Sequence, residues 1–257
     1  MGDGAQRHMD RALAELGWTI AWGKPMPLIT LAAGSSPTMW SAHAGGCAIA
    51  VRSGTPLRSI PATTDAVKRL WEAGRWCHAT IHWGNWRYFL HVASLYAPVD
   101  DAQAADAALF AALVELAALG EVPILLAGDF NLEPQNSPTL HAACTNGGWH
   151  DIADLFARQN GAPAASTCTA RPGAHPRRID YMLANTVMFG ACTEFSVLEN
   201  TGLPTTSLSR CCCPWTPSPA VTYDPGAHWP SLPWRDLRSP RCRRTSGALY
   251  PRPGRQP

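Results

Sequence analysis

A chain of 257 residues, 46% of them hydrophobic, is long enough to bury a sizeable core. Its formal charge of +2 is too small to imply binding to nucleic acid or an anionic membrane by itself. No apolar run reaches the roughly 18 residues of a membrane span, and Met1–Leu16 lacks the apolar stretch and cleavage site of a signal peptide, so a soluble intracellular protein (cytoplasm or nucleus) is the default expectation.

His8 to Leu16 reads as a short helix, with Met9, Leu13 and Leu16 on one face. Trp18 to Trp22 reads as a strand. Gly45-Gly46 opens a second, buried strand over Cys47–Val51. Cys77–Trp83 and Arg87–Tyr96 flank Gly84-Asn85 and predict a hairpin. In its first arm Ala79, Ile81 and Trp83 alternate with His78, Thr80 and His82, which predicts one apolar and one wetter face. Asp100-Asp101 cap a long helix to about Leu119, with Phe110, Leu113, Leu116 and Ala117 as its expected buried stripe. Ile124–Ala127 is a fully apolar strand that ends in Gly128-Asp129-Phe130-Asn131. Ser137-Pro138 starts a helix toward Cys144. Arg178–Leu183 and Val187–Val197 read as two more strands, with Asn185 near the turn.

Beyond about Leu203 the character changes. Residues 205–257 hold ten of the 23 prolines, eight arginines and four cysteines, with no period of a strand or a helix. The domain reading is therefore a folded unit over 1–204 and a Pro/Arg/Cys-rich irregular tail over 205–257. Nothing in the sequence points to an oligomer. Cys47, Cys77, Cys144, Cys168 and Cys192 lack metal-type spacing and read as buried free thiols.

The tetrapeptide Gly128-Asp129-Phe130-Asn131 carries the strongest chemical signal. Alternation points Asp129 and Asn131 one way and Phe130 into the core. A carboxylate beside an amide at a strand end can hold Mg²⁺ or orient water, and can meet a phosphate oxygen. The bland alternative is a turn that happens to contain Asp and Asn. Two further blocks add context: Ser94-Leu95-Tyr96-Ala97-Pro98, a strand ending in tyrosine, and Arg178-Ile179-Asp180-Tyr181-Met182-Leu183.

In this order the blocks resemble the endonuclease/exonuclease/phosphatase superfamily, over about residues 18–199. The resemblance implies an α+β fold, the DNase I-like four-layer α/β/β/α sandwich, here truncated and followed by an irregular tail. It implies a Mg²⁺-dependent phosphodiester hydrolase of endonuclease type. Asp129 then matches the aspartate that positions the attacking water near the metal, and is the expected metal-site carboxylate. Asn131 matches the asparagine that orients water and phosphate. Tyr96 matches a tyrosine on the scissile phosphate, and Asp180 the aspartate that orients a catalytic histidine. Arg177 and Arg178 would lie near substrate phosphate, with a solvated surface the equal alternative.

Two family elements have no counterpart: the glutamate that is the principal Mg²⁺ ligand, and the terminal Ser-Asp-His-x-Pro-Val block. The expectation is little or no hydrolysis by this polypeptide. A phosphatase or lipid-phosphatase relative, and a non-catalytic remnant that binds nucleic acid or a partner, are the alternatives; Tyr96 before Ala-Pro favours the nucleases. A retroelement endonuclease is one candidate origin.

The tail itself suggests a shifted reading frame. Only Lys24 and Lys68 are lysines among 21 basic residues, as GC-rich coding DNA would give. Read from the third base of each codon, Pro204–Ser209 can encode Asp-His-Leu-Pro-Val with GC-rich wobble bases. Cys211-Cys212-Cys213 would then become leucine-rich.

Overall fold

The computed structural model describes residues 3–25, 46–83, 88–99, 101–168, 175–198 and 208–212. Its centre is a six-stranded sheet of β3 (Leu57–Ser59), β4 (Trp76–Trp83), β5 (Tyr88–Tyr96), β6 (Ile124–Asp129), β8 (Asp180–Asn185) and β7 (Trp149–Asp151), in that spatial order. Only β5 and β6 run parallel; every other neighbouring pair is antiparallel. The parallel pair needs a crossover, and α3 (Ala102–Ala117) supplies it.

One face of the sheet is covered by α2 (Asp65–Glu72), α3 and α4 (Pro138–Asn146). Trp76, Leu95, Leu109, Leu116, Leu126 and Leu183 are among the side chains packed there. Towards the other face lies a two-stranded ribbon, β1 (Trp18–Trp22) with β2 (Ala48–Arg52), whose Ala21 and Ile49 pack on Cys77 and Ala79. A second ribbon pairs β9 (Glu194–Leu198) with β10 (Leu208–Cys212). The remaining helices are α1 (Asp3–Glu15), α5 (Ile152–Gln159) and α6 (Thr186–Phe189). This is the α+β, DNase I-like arrangement that the sequence implied. Among the described residues no helix is long and apolar enough to cross a membrane.

Five expectations are corrected. The β4 side bearing His78 and Thr80 is not wet: both are buried, and His78 Nε2 lies 2.9 Å from Nδ1 of His91, so the two imidazoles share one hydrogen bond. The buried stripe of α3 runs through Leu109, Ala112, Leu113 and Leu116, whereas Phe110 is 60% exposed. A helix that is apolar all round gives periodicity little to choose between. Val187–Val197 is not one strand, because the Asn185 side chain accepts from Met188 N at 3.0 Å and caps α6. Past residue 204, where the sequence showed no packed element, Leu208–Cys212 forms β10; residues 213–257 lie outside the described residues. Of the cysteines, Cys47 and Cys77 are buried free thiols as expected, whereas Cys144 is exposed. The Gly84-Asn85 turn also lies outside the described residues, but its arms pair as a hairpin with Trp83 opposite Tyr88.

Candidate active site

Register across three neighbouring strands builds the site. Tyr96 pairs with Asp129 across β5 and β6, and Asp129 pairs with Asp180 across β6 and β8. The three residues therefore form a row at one end of the sheet, where β5 and β6 finish and β8 begins. Paired residues on adjacent strands present their side chains to the same face.

Gly128 lets the row close. It pairs with Leu95 at φ +151, and a Cβ there would stand 1.9 Å from the Leu95 carbonyl oxygen. Phe130 then turns into the core, fully buried, and stacks on Tyr181 with ring centroids 5.1 Å apart. The Tyr181 hydroxyl donates to the Leu132 carbonyl at 2.9 Å, which ties β8 to the segment beyond Phe130.

Asn131 leaves the strand in the left-handed region, at φ 51. Asparagine tolerates that region better than most residues. Its backbone N–H donates to Asp129 Oδ1 at 3.0 Å, and its Nδ2 donates to the Ala97 carbonyl at 3.0 Å. The amide nitrogen thus has one partner already, and among the described residues Oδ1 is the open acceptor.

Asp180 is held by a residue the sequence reading missed. The buried Thr167 hydroxyl accepts from Ile179 N at 3.2 Å and from Asp180 N at 3.1 Å. Both lone pairs being used, its proton goes to the Asp180 carboxylate. Asp180 Oδ2 is buried without a hydrogen-bond partner among the described residues. Burial pushes Asp180 up to about 6; the Thr167 hydroxyl opposes this and the Asp129 charge adds to it. Burial also raises Asp129, against the Asn131 N–H and the charge of Arg177.

Arg178 is not part of the row. It is buried, its guanidinium is ion-paired with Asp151 and lies 4.6 Å from the Tyr181 ring centroid. It lines a cleft of about 350 Å³ between α4 and α5, and none of Tyr96, Asp129, Asn131 or Asp180 lines that cleft. The exposed cation whose charge reaches Asp129 is Arg177.

A second missed residue is Arg75, which donates to the Tyr96 and Ala97 carbonyls at 3.3 and 3.0 Å. Neither Thr167 nor Arg75 sits in a motif. Their contacts span 12 or more residues, so no local pattern announces them.

Among the described residues no cluster of three or more His, Cys, Asp or Glu could hold a metal ion. Two carboxylates side by side, one with a buried unpartnered oxygen, nevertheless suit a hard divalent cation. Magnesium commonly takes one or two carboxylates and completes its shell with water and substrate phosphate.

A sequence profile of the Endonuclease/Exonuclease/phosphatase family matches residues 3–231. Among solved structures, the chain is similar to an AP endonuclease from Archaeoglobus fulgidus, at 14% identity and a TM-score of 0.54, over 78% of this chain and 80% of that one. It is similar to the 3′-5′ exonuclease NExo of Neisseria meningitidis, at 19% identity and a TM-score of 0.54, over 80% and 83%. The human Nocturnin catalytic domain, solved with a bound sulfate anion, aligns at 18% identity and a TM-score of 0.50, over 78% and 73%. At these identities the likeness is one of fold. No curated protein matches in sequence.

Proposed function

Because the chain belongs to the endonuclease/exonuclease/phosphatase family, we propose that its Tyr96–Asp129–Asp180 row is the reacting edge of a Mg²⁺-dependent phosphodiester hydrolase of nuclease type. The observation that carries this reading is the in-register pair of carboxylates with Asp180 Oδ2 buried and unpartnered. Asp129 and Asp180 would hold the cation, which neutralises charge on the phosphate when bound. The Asn131 Oδ1 acceptor, beside Asp129, orients a water for attack. The Tyr96 phenol and the Arg177 guanidinium supply donors to phosphate oxygens. The solved AP endonuclease and 3′-5′ exonuclease to which the chain is similar support a nucleic-acid substrate over a lipid.

Turnover by this polypeptide is slow or at background. No histidine is hydrogen-bonded to Asp180 Oδ2 among the described residues, and general acid–base help is typically worth about 10²–10⁴-fold. The test combines Mn²⁺ binding, followed by electron paramagnetic resonance, with cleavage of supercoiled plasmid in Mg²⁺. The expected result is Mn²⁺ binding lost in the Asp129→Asn/Asp180→Asn double variant, and nicking no faster than an Asp129→Ala control. Mn²⁺ binding that is absent, or indifferent to both aspartates, would sink the assignment of the edge. Nicking well above the Asp129→Ala control would overturn the slow turnover.

A further inference from the structure

Arg75 precedes β4 and lies 56 residues before Asn131, yet both donate to one atom. Arg75 Nη1 reaches the Ala97 carbonyl oxygen at 3.0 Å, and Asn131 Nδ2 reaches the same oxygen at 3.0 Å. A carbonyl oxygen has two lone pairs, and these two donors use both. The same Nη1 donates to the Tyr96 carbonyl at 3.3 Å, and the guanidinium carbon lies 5.1 Å from the Tyr96 ring centroid. In return, Tyr96 N donates to the Arg75 carbonyl at 3.0 Å. Ala97 N donates to the Asp129 carbonyl at 2.9 Å, so the Tyr96–Ala97 step is pinned from both sides.

We propose that Arg75 is a positioning residue of the catalytic edge, which fixes the Tyr96 ring and, through the shared Ala97 carbonyl, the Asn131 amide. The mechanism follows from donor geometry. Ala97 O can only accept, so the Asn131 amide must turn its nitrogen inward and its Oδ1 outward. Arg75 holds that oxygen in place and occupies the lone pair that would otherwise let the Asn131 amide swing. A guanidinium can donate from one nitrogen to two carbonyls while its plane rests against a ring; an ammonium cannot do both in a fixed geometry. This inference rests on the assignment of the edge made above for its catalytic meaning, but its geometry stands apart from metal and substrate.

The test uses the full chain with Arg75→Met, which keeps the apolar stem, and Arg75→Lys, which keeps the charge. The first readout is the side-chain NH₂ signal of Asn131 in ¹⁵N–¹H spectra, assigned by its disappearance in Asn131→Asp. It needs neither metal nor DNA. Both Arg75 variants are expected to shift this signal and to speed its exchange with solvent, while Arg158→Met, which removes an exposed cation on α5, leaves it in place. The second readout is affinity for a fluorescent single-stranded oligonucleotide. Both Arg75 variants are expected to weaken it about tenfold, the worth of one charge-assisted hydrogen bond. An Asn131 signal unchanged in both variants would overturn the proposal, as would an affinity fully restored by lysine, which would mark Arg75 as a mere charge. Shifted Asn131 signals with no DNA binding in any form would keep the positioning role and refute the nuclease reading instead.

Discussion

Replacing Gly128 by alanine tests whether the row depends on the close approach of β5 and β6. The added methyl would stand 1.9 Å from the Leu95 carbonyl oxygen and 2.9 Å from the Leu95 carbonyl carbon and nitrogen. All three are backbone atoms, so no side chain can swing aside. The φ of +151 adds conformational strain for an L-residue. Strain in such a region costs about 1–3 kcal/mol, and forced overpacking another roughly 1–3. The sum, about 2–6 kcal/mol, is a large share of the 5–15 or so that usually holds a domain together. Gly120, at φ +78 with nothing within 4 Å of its added Cβ, is the matched control, because alanine there meets only the left-handed backbone cost of about 1–2 kcal/mol. Urea unfolding of the two variants, followed by tryptophan fluorescence, should put Gly128→Ala well below Gly120→Ala. Equal stabilities would refute the idea that strand contact at Leu95 sets the row.

Two further outcomes follow from the geometry. Arg178→Met strands the Asp151 carboxylate and should cost about 3–5 kcal/mol in urea unfolding; adding Asp151→Asn, which keeps a side-chain acceptor for the first turn of α5, should recover most of it. A loss of DNA affinity at unchanged stability would return Arg178 to the substrate instead. Acid should weaken the fold through the buried imidazoles. Burial first, and then His91, push His78 down to about 4, and burial lowers His91. The unfolded chain takes up these protons near pH 6.5, so their contribution is complete above that pH and is lost as pH falls toward 4. Between pH 7 and 4.5 the wild type should lose about 1–3 kcal/mol more than His78→Gln in urea midpoints; parallel profiles would remove the histidine pair from the account.

What could be read in the sequence was local. Gly128-Asp129-Phe130-Asn131 announces itself because an apolar strand stops on a carboxylate, and the buried Phe130 between two outward polar residues follows from alternation. Asp101 and Ser137 were legible as caps for the same reason: a cap acts within three residues. The hidden parts depend on partners far along the chain. His78 and Thr80 look like a wet face until the hairpin sets His91 opposite Thr80 and within hydrogen-bond reach of His78. Arg178 shares an apparent alternation with Asp180, but β8 begins only at Asp180. Arg178, two residues earlier, escapes the strand pattern and turns to Asp151. Thr167 and Arg75 are ordinary polar residues until folding sets them against Asp180 and Ala97. Asn185, near the expected turn, has a local role and a distant one: it caps α6, and its side chain also binds Ile124 N and the Val122 carbonyl.

The ribbon of β9 and β10 bears on how such a chain tolerates change. Leu208-Ser209-Arg210-Cys211-Cys212 is a poor strand former by composition, yet it lies opposite Glu194–Leu198 residue for residue. A ladder joins peptide groups, which every residue but proline brings intact. Replacing side chains in that segment would spare the amides, so the slot beside β9 admits almost any sequence without proline. Pairing at that edge therefore says little about which side chains it must carry.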